Sequence, residues 1–217
     1  MLRAGFTLIA SLFFSLSPIM SPAAMADDDE PPHRVLVRED RFEIREYEAQ
    51  ILAEVDVRGS MSGASSRAFR PLAGYIFGGN TARTGGSDEI AMTTPVTQTR
   101  SQDIAMTTPV TQTAAGADIW RVAFIMPPEW TMDSLPIPDD ARVMLREQPA
   151  RRMAAIRFSG GPSEQRFMRR EAELRAWLDA QGEEVIGEPV YARYDPPWVP
   201  VFMRRNEVMI ELASEGT

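Results

Sequence analysis

The chain has 217 residues, 44% of them hydrophobic and 25% charged, a balance typical of a globular protein rather than a disordered or fibrous one. It carries 31 acidic residues against 23 basic ones, a net charge of −8, and every basic residue is arginine. This charge argues against nucleic acid and anionic lipid as partners, and the lack of cysteine excludes disulfides, a thiol nucleophile and thiolate metal sites.

The first 26 residues have the pattern of a secretory signal peptide. Arg3 precedes an apolar run, and the segment ends in the A-x-A sequence of a cleavage site. The run is short for a membrane-spanning helix and contains two prolines. We therefore predict cleavage after Ala26, no stable membrane insertion afterwards, and a periplasmic or secreted protein; a retained membrane anchor is the alternative.

The first half of the remaining chain predicts strands followed by a helix. Segment 27–34 is acidic and proline-containing and is expected to be a solvated tail, and the folded domain is expected to span residues 35–213. FEIREYE and QILAEVDVRG predict two strands around a short turn. A helix is predicted from about Ser62 to Phe77, because five apolar residues share one face: Ala64, Ala68, Leu72, Tyr75 and Ile76.

The second half repeats this pattern at a constant offset of 101 residues. The matched pairs are Glu46–Glu147, Ala49–Ala150, Ala53–Ala154, Val55–Ile156, Val57–Phe158 and Gly59–Gly160. A second helix is predicted from about Ser163 to Gln181, followed by two further strand-like segments. The sequence therefore predicts an α+β fold in which two pseudo-symmetric βαββ repeats, 43–126 and 142–212, form a distorted antiparallel barrel with two flanking helices.

A ten-residue segment, Ile90 to Thr99, recurs letter for letter as Ile104 to Thr113. Two copies are too few for a solenoid. In each copy Ile, Met and Val recur at period two, so both copies are predicted to be strands that face the same way, with Pro95 and Pro109 at an edge or a strand end. Two interpretations stay open: a structural edge hairpin, or a pocket rim that presents Met and Thr side chains.

Several segments together resemble the SOUL haem-binding protein family: FRPLAGYIFGGN, IAMTTPVTQ, WRVAFIMPPEW and RRNEVMIEL. The resemblance runs from about Val35 to Leu212, and the doubled IAMTTPV segment is similar to exported bacterial members. It implies a distorted barrel of two βαββ repeats and a carrier or buffer whose ligand is a small-molecule tetrapyrrole, with haem as the expected cofactor. We expect the protein to be a monomer.

The resemblance also raises the question of an iron ligand, since some members of the family use an axial His. The one histidine here, His33, is predicted to lie in the polar tail, so we expect no axial His. Other members hold the tetrapyrrole in an apolar groove with basic residues near the propionates. Only arginine can take that role in this chain.

The first predicted helix offers such arginines. Arg67 and Arg70 are three residues apart and therefore neighbours on the helix surface, and a guanidinium fork suits a carboxylate. The predicted ligand-binding residues are Met61, Arg67, Phe69, Arg70, Tyr75, Met92 and Met106. The alternative is that the two arginines solvate the helix and the methionines fill the core. If the site is correct, replacing both arginines by Ala weakens haem binding roughly tenfold.

Catalytic motifs are weak. GSMSG has Met61 where a nucleophile elbow needs Ser, and one histidine provides neither a Ser-His-Asp triad nor a His-based zinc site. Asp139-Asp140 and Glu183-Glu184 are predicted to be solvated loop charges. Glu46 and Glu147 could face one another, and burial would then raise the pKa of one of them. The alternatives to a tetrapyrrole carrier are a module that binds another apolar or cationic ligand, and a carboxylate-based hydrolase.

Overall fold

The computed structural model describes residues 30–100, 119–161, 163–196 and 198–214. This part of the chain forms two helices, eleven strands and one 3-10 turn, Val201–Met203. The helices are α1 (Met61–Ile76) and α2 (Glu164–Gln181). The strands are β1 (His33–Glu39), β2 (Phe42–Tyr47), β3 (Gln50–Arg58), β4 (Asn80–Thr81), β5 (Val96–Arg100), β6 (Ile119–Ile125), β7 (Ile137–Pro138), β8 (Met144–Gln148), β9 (Arg151–Ser159), β10 (Val190–Arg193) and β11 (Arg205–Leu212).

Nine of these strands form one antiparallel sheet in the order β1-β2-β9-β11-β10-β5-β6-β3-β8. The short strands β4 and β7 pair separately. The α+β prediction is confirmed: a mostly antiparallel sheet forms a curled half-barrel with two helices. The superposition of 43–126 on 142–212 stays a prediction.

Two short links explain why the sheet curls. β2 and β3 stand six places apart in the strand order, a distance of about 29 Å in a flat sheet at about 4.8 Å per strand. Only residues 48–49 join them, and a link of that length reaches at most about 11 Å. β8 and β9 are also six places apart in the strand order, and only residues 149–150 join them. The sheet must therefore bend until its two ends approach each other.

Both helices cover the same face of this sheet. Ser60 caps α1 by accepting a hydrogen bond from the Gly63 amide at 3.3 Å, and the five residues predicted for the apolar face of α1 are all buried. Met61 of α1 shares a core cluster with Phe167 and Leu174 of α2. In the described part of the chain, neither helix is long and apolar enough to cross a membrane.

The strand predicted for the duplicated segment is wrong over its first residues. Residues 90–95 form no strand, and β5 begins at Val96, directly after Pro95. Proline has no amide to donate to a ladder, which accounts for the position of the strand start. Ile90 is buried and Met92 is 40% exposed, so they do not share a face. The second copy, Ile104 to Thr113, lies outside the described residues.

His33 belongs to the sheet rather than to a tail. β1 begins at His33, which pairs with Tyr47 of β2, and the two rings lie 5.0 Å apart. Glu30, three residues earlier, forms an ion pair with Arg205 of β11. The segment before Val35 is thus held against the fold from Glu30 onward, because its polar side chains find partners on β2 and β11.

The sheet face opposite the helices contains a buried ionic network. Arg45 of β2 donates to both carboxylate oxygens of Glu207 of β11, at 2.7 and 3.0 Å, and both side chains are almost fully buried. Tyr194 donates to the same carboxylate at 2.7 Å, and Arg205 does so at 2.9 Å. Burial raises the pKa of the Glu207 carboxyl, but these donors outweigh it and lower the pKa to about 2.

A loss of stability in acid follows from this shift. The folded-state pKa of Glu207 is below the ordinary value of 4.5, so its ionised form stabilises the fold above pH 4.5. That contribution falls as the pH drops from about 4.5 to 2 and amounts to about 3 kcal/mol in total. We expect urea midpoints to decline over this range, and a Glu207→Gln variant to show a shallower decline. An equal decline in both proteins would contradict the assignment to Glu207.

Candidate functional site

Two of the predicted ligand contacts are core residues. Met61 and Tyr75 expose only 1% and 2% of their surface, and the Tyr75 hydroxyl donates to the Pro136 carbonyl at 3.0 Å. These side chains fix α1 against the sheet and present no surface to a ligand. Met61 therefore fills the core, which was the alternative interpretation of the methionines.

Three other predicted residues do reach the surface. Phe69 is 46% exposed, and its ring lies edge-on to Phe124 of β6 with 5.8 Å between centroids. Arg70 is exposed and makes no hydrogen bond or ion pair within the described residues. Met92 is exposed in the segment that leads into β5. Met106 lies outside the described part of the chain.

Arg67 is already engaged with the backbone. Its guanidinium donates to the Arg58 carbonyl and lies directly over Gly59, which has φ of 123°. Arg166 lies over Gly160 in the same way at the start of α2. Each arginine therefore contacts the short segment that joins a strand to the following helix. Because Arg67 is engaged in this way, it is less available to a ligand than Arg70.

An arginine that the sequence did not single out lies between the two helices. Arg193, the last residue of β10, donates through Nη1 to Ser65 Oγ of α1 at 2.8 Å. Its guanidinium carbon lies 5.8 Å from the ring centre of Phe167 on α2. The Ser65 hydroxyl in turn donates to Gln98 Oε1 of β5 at 2.9 Å. Arg193 is thus oriented by contacts with both helices.

This guanidinium has no carboxylate partner among the described residues. Its Nε and Nη2 atoms are buried and make no hydrogen bond, and burial lowers the pKa of Arg193. Arg45, another buried arginine, is paired with Glu207 at 2.7 Å. A guanidinium with unused donors in a low-dielectric setting binds a carboxylate more strongly than an exposed one does.

An exposed apolar loop follows Arg193. We call it the apolar loop; its members are Trp198, Val201, Phe202 and Met203, which are 51–82% exposed. The Arg204 carbonyl accepts from the Gly160 amide at 3.2 Å, so the loop lies beside the start of α2. Clustered exposed aromatic and aliphatic side chains are typical of a binding surface.

The helix cleft, as we call it, is made of Ser65, Arg193 and the apolar loop; Phe167 is fully buried and contacts Arg193 from the core. It combines a guanidinium whose two buried donors make no hydrogen bond with the exposed apolar side chains of the apolar loop, a combination that suits an amphipathic anion. Two sequence signals were available for this site. One is the strand alternation that puts Arg193 on the same face as Tyr191, and the other is the group of apolar residues in DPPWVPVFM. The contacts with Ser65 and Phe167 required the structure.

The acidic residues considered for catalysis do not form a catalytic pair. Glu46 is exposed and paired with Arg34 at 2.6 Å, and Glu147 is exposed as well, so the two carboxylates are not buried together. Asp140 and Glu183 each pair with an arginine, at 2.6 and 2.5 Å, and both have lowered pKa values. Over the described ranges, no group of three or more His, Asp or Glu side chains could hold a metal ion.

A separate cavity of about 650 Å³ opens between the β2–β3 turn, the β8–β9 turn and the loop after β6. None of the predicted ligand-binding residues lines it, and neither does any arginine in the part of the chain described. Its volume is within the range of small-molecule sites, but its ionisable lining residues are all glutamates: Glu30, Glu48 and Glu147. Such a rim repels a ligand with two carboxylates.

Comparison with known sequences identifies one family. The sequence pattern of the SOUL heme-binding protein family matches residues 28–211. No curated protein matches the chain significantly.

Comparison with solved structures gives similar folds at low identity. The crystal structure of the EcmrR C-terminal domain has a TM-score of 0.54 and 11% identity, covering 80% of this chain and 98% of that one. The crystal structure of a hydrolase from Listeria innocua has a TM-score of 0.54 and 15% identity, covering 82% and 94%. At such identities these similarities establish the fold only.

Proposed function

Because the chain belongs to the SOUL haem-binding protein family, we propose that it binds haem or a related tetrapyrrole and serves as an exported carrier or buffer. The observation that carries the proposal is the family match, which spans nearly all of the chain after the first 27 residues. The signal-like first 26 residues support export and a periplasmic or secreted location. We take the carrier to be a monomer.

The helix cleft is the site we favour for the tetrapyrrole. A porphyrin has a broad apolar face, for which the apolar loop and Phe69 offer exposed aromatic surface, and two propionates, for which Arg193 has unused donors. Arg70, exposed on α1, is a second candidate for a propionate. Burial of the apolar face supplies most of the affinity.

The strand order supports the two-repeat architecture in this proposal. Read inward from β2 the order is β2-β9-β11-β10, and read inward from β8 it is β8-β3-β6-β5. Exchanging the two predicted units replaces β2, β9, β11 and β10 by β8, β3, β6 and β5, so one series becomes the other. A pseudo-twofold axis between β5 and β10 requires this correspondence. Superposition of 43–126 on 142–212 tests this directly.

Haemin titration of residues 27–217, followed by absorption, tests the function. We expect saturation at one equivalent with a shifted Soret band. We further expect His33→Ala to leave the Soret band and the affinity unchanged, because His33 packs against Tyr47 in the sheet rather than in the helix cleft. Loss of the Soret shift in His33→Ala would show that the iron has a His ligand after all.

Arg70 can be tested separately from Arg67. An exposed guanidinium–carboxylate contact contributes little, so Arg70→Ala should weaken haemin binding about threefold. Arg142→Ala is the control, since Arg142 is also exposed but lies away from α1, in the loop before β8, where it pairs with Asp140. Equal affinity of both variants and the parent protein would exclude Arg70 as a contact.

A further inference from the structure

We propose that the cavity between the β2–β3 and β8–β9 turns, here the turn cavity, is a second binding site that takes an amphipathic organic cation. It is distinct from the helix cleft in both position and charge. The two turns, the loop after β6, residues 30–32 and Thr93 line it.

The walls of the turn cavity are largely apolar. Ile51 of β3, Ile125 of β6 and Met126 contribute buried or half-buried side chains. Trp130 and Met132 of the following loop are half-buried and line the cavity as well. An indole in such a wall provides apolar area together with an electron-rich face that attracts cations.

The charge at the cavity is negative. Glu30 is neutralised by Arg205. Glu48 and Glu147 are exposed and make no ion pair within the described residues. Both lie near the same end of the β3–β8 pair, because Glu147 is opposite Ile51 and Glu48 is three residues before Ile51. Two uncompensated carboxylates therefore flank an apolar volume, an arrangement complementary to a cation with apolar substituents.

One buried polar group at the cavity also lacks a partner. Gln50 is opposite Gln148, whose Oε1 accepts from Arg146 Nη1 at 2.6 Å. Gln50 Nε2 is buried and makes no hydrogen bond in the part of the chain described. An unsatisfied buried donor is unfavourable, and a bound molecule or water with an acceptor atom would satisfy it.

The sign of the charge decides between ligand classes. An anion would meet Glu48 and Glu147 without a neighbouring arginine in the lining. A neutral molecule would use the apolar walls but leave both carboxylates without partners. A cation uses both features, and a volume of about 650 Å³ accommodates one with several rings.

The test compares two probes of the same shape and opposite charge. Calorimetric titration of residues 27–217 with tetraphenylphosphonium should give saturable binding at one equivalent. Tetraphenylborate should bind at this site at least tenfold more weakly, and the phosphonium affinity should fall as salt rises. Equal affinities for the two probes would overturn the proposal.

Conservative variants assign the binding to this cavity. The Glu48→Gln/Glu147→Gln double variant should weaken phosphonium binding about tenfold, while Glu184→Gln, an exposed carboxylate elsewhere, should leave it unchanged. Haemin affinity should be the same in the double variant, so failure of this proposal and failure of tetrapyrrole binding are distinguishable. Phosphonium binding that the double variant does not weaken would exclude the turn cavity.

Discussion

Glu207→Gln is expected to lower the free energy of unfolding by about 3 kcal/mol. The amide keeps the size of the side chain but removes a buried charge that accepts from Arg45, Arg205 and Tyr194. Arg45 is only 3% exposed, so water cannot replace the lost carboxylate. Glu43 still pairs with Arg45 at 2.6 Å. The expected loss in free energy of unfolding is therefore at the lower end of the range for a broken buried ion pair.

Urea unfolding followed by circular dichroism measures this change. Glu46→Gln is the matched control, because Glu46 lies on the same strand as Arg45 but forms an exposed pair with Arg34. We expect the control to change stability by less than about 1 kcal/mol. A similarly small change in Glu207→Gln would mean that the buried network does not stabilise the fold.

Arg193→Met is expected to change binding and stability in opposite directions. Methionine fills similar space without the unsatisfied Nε and Nη2 donors, so the ligand-free protein should gain on the order of 1 kcal/mol despite losing the bond to Ser65. A partly buried charge-assisted contact with a propionate would be lost at the same time. Haemin binding should weaken about tenfold to a hundredfold.

A gain in stability together with a loss of haemin affinity would distinguish a binding role of Arg193 from a structural one. If Arg193 served only to hold α1 and α2 in place, its replacement would reduce stability, and any loss of binding would follow from that. Arg157→Met, an exposed arginine on β9, serves as the control for both measurements. Undiminished haemin affinity in Arg193→Met would remove Arg193 from the site.

The spacing of apolar residues predicted those elements whose formation depends mainly on residues close together in the sequence. The apolar face of α1 was predicted residue by residue, since a helix against a sheet buries positions three and four apart. The same reasoning failed for Ile90 to Pro95, where an alternating pattern lies in a segment without ladder partners. Pairing depends on a neighbouring strand, and period-two alternation does not specify one.

The site was only partly predictable for a related reason. Phe69 and Arg70 were predicted because they are close together on one predicted helix, and both are exposed. Arg193 and Ser65 are separated by 128 positions in the chain, and Arg45 and Glu207 by 162. No local pattern connects such residues; the curl of the sheet brings them into contact. Apolar residues in a proline-rich loop, as at Trp198 and Phe202, were a signal that could have been used.

The most direct test of tetrapyrrole binding in the helix cleft is a chemical-shift map of residues 27–217 with zinc protoporphyrin IX, which is diamagnetic. We predict that the largest amide shifts at saturation fall in the first half of α1 and in residues 193–204, with a further shift at the indole of Trp198. Shifts concentrated at the β2–β3 and β8–β9 turns, or no saturable shifts at all, would contradict it.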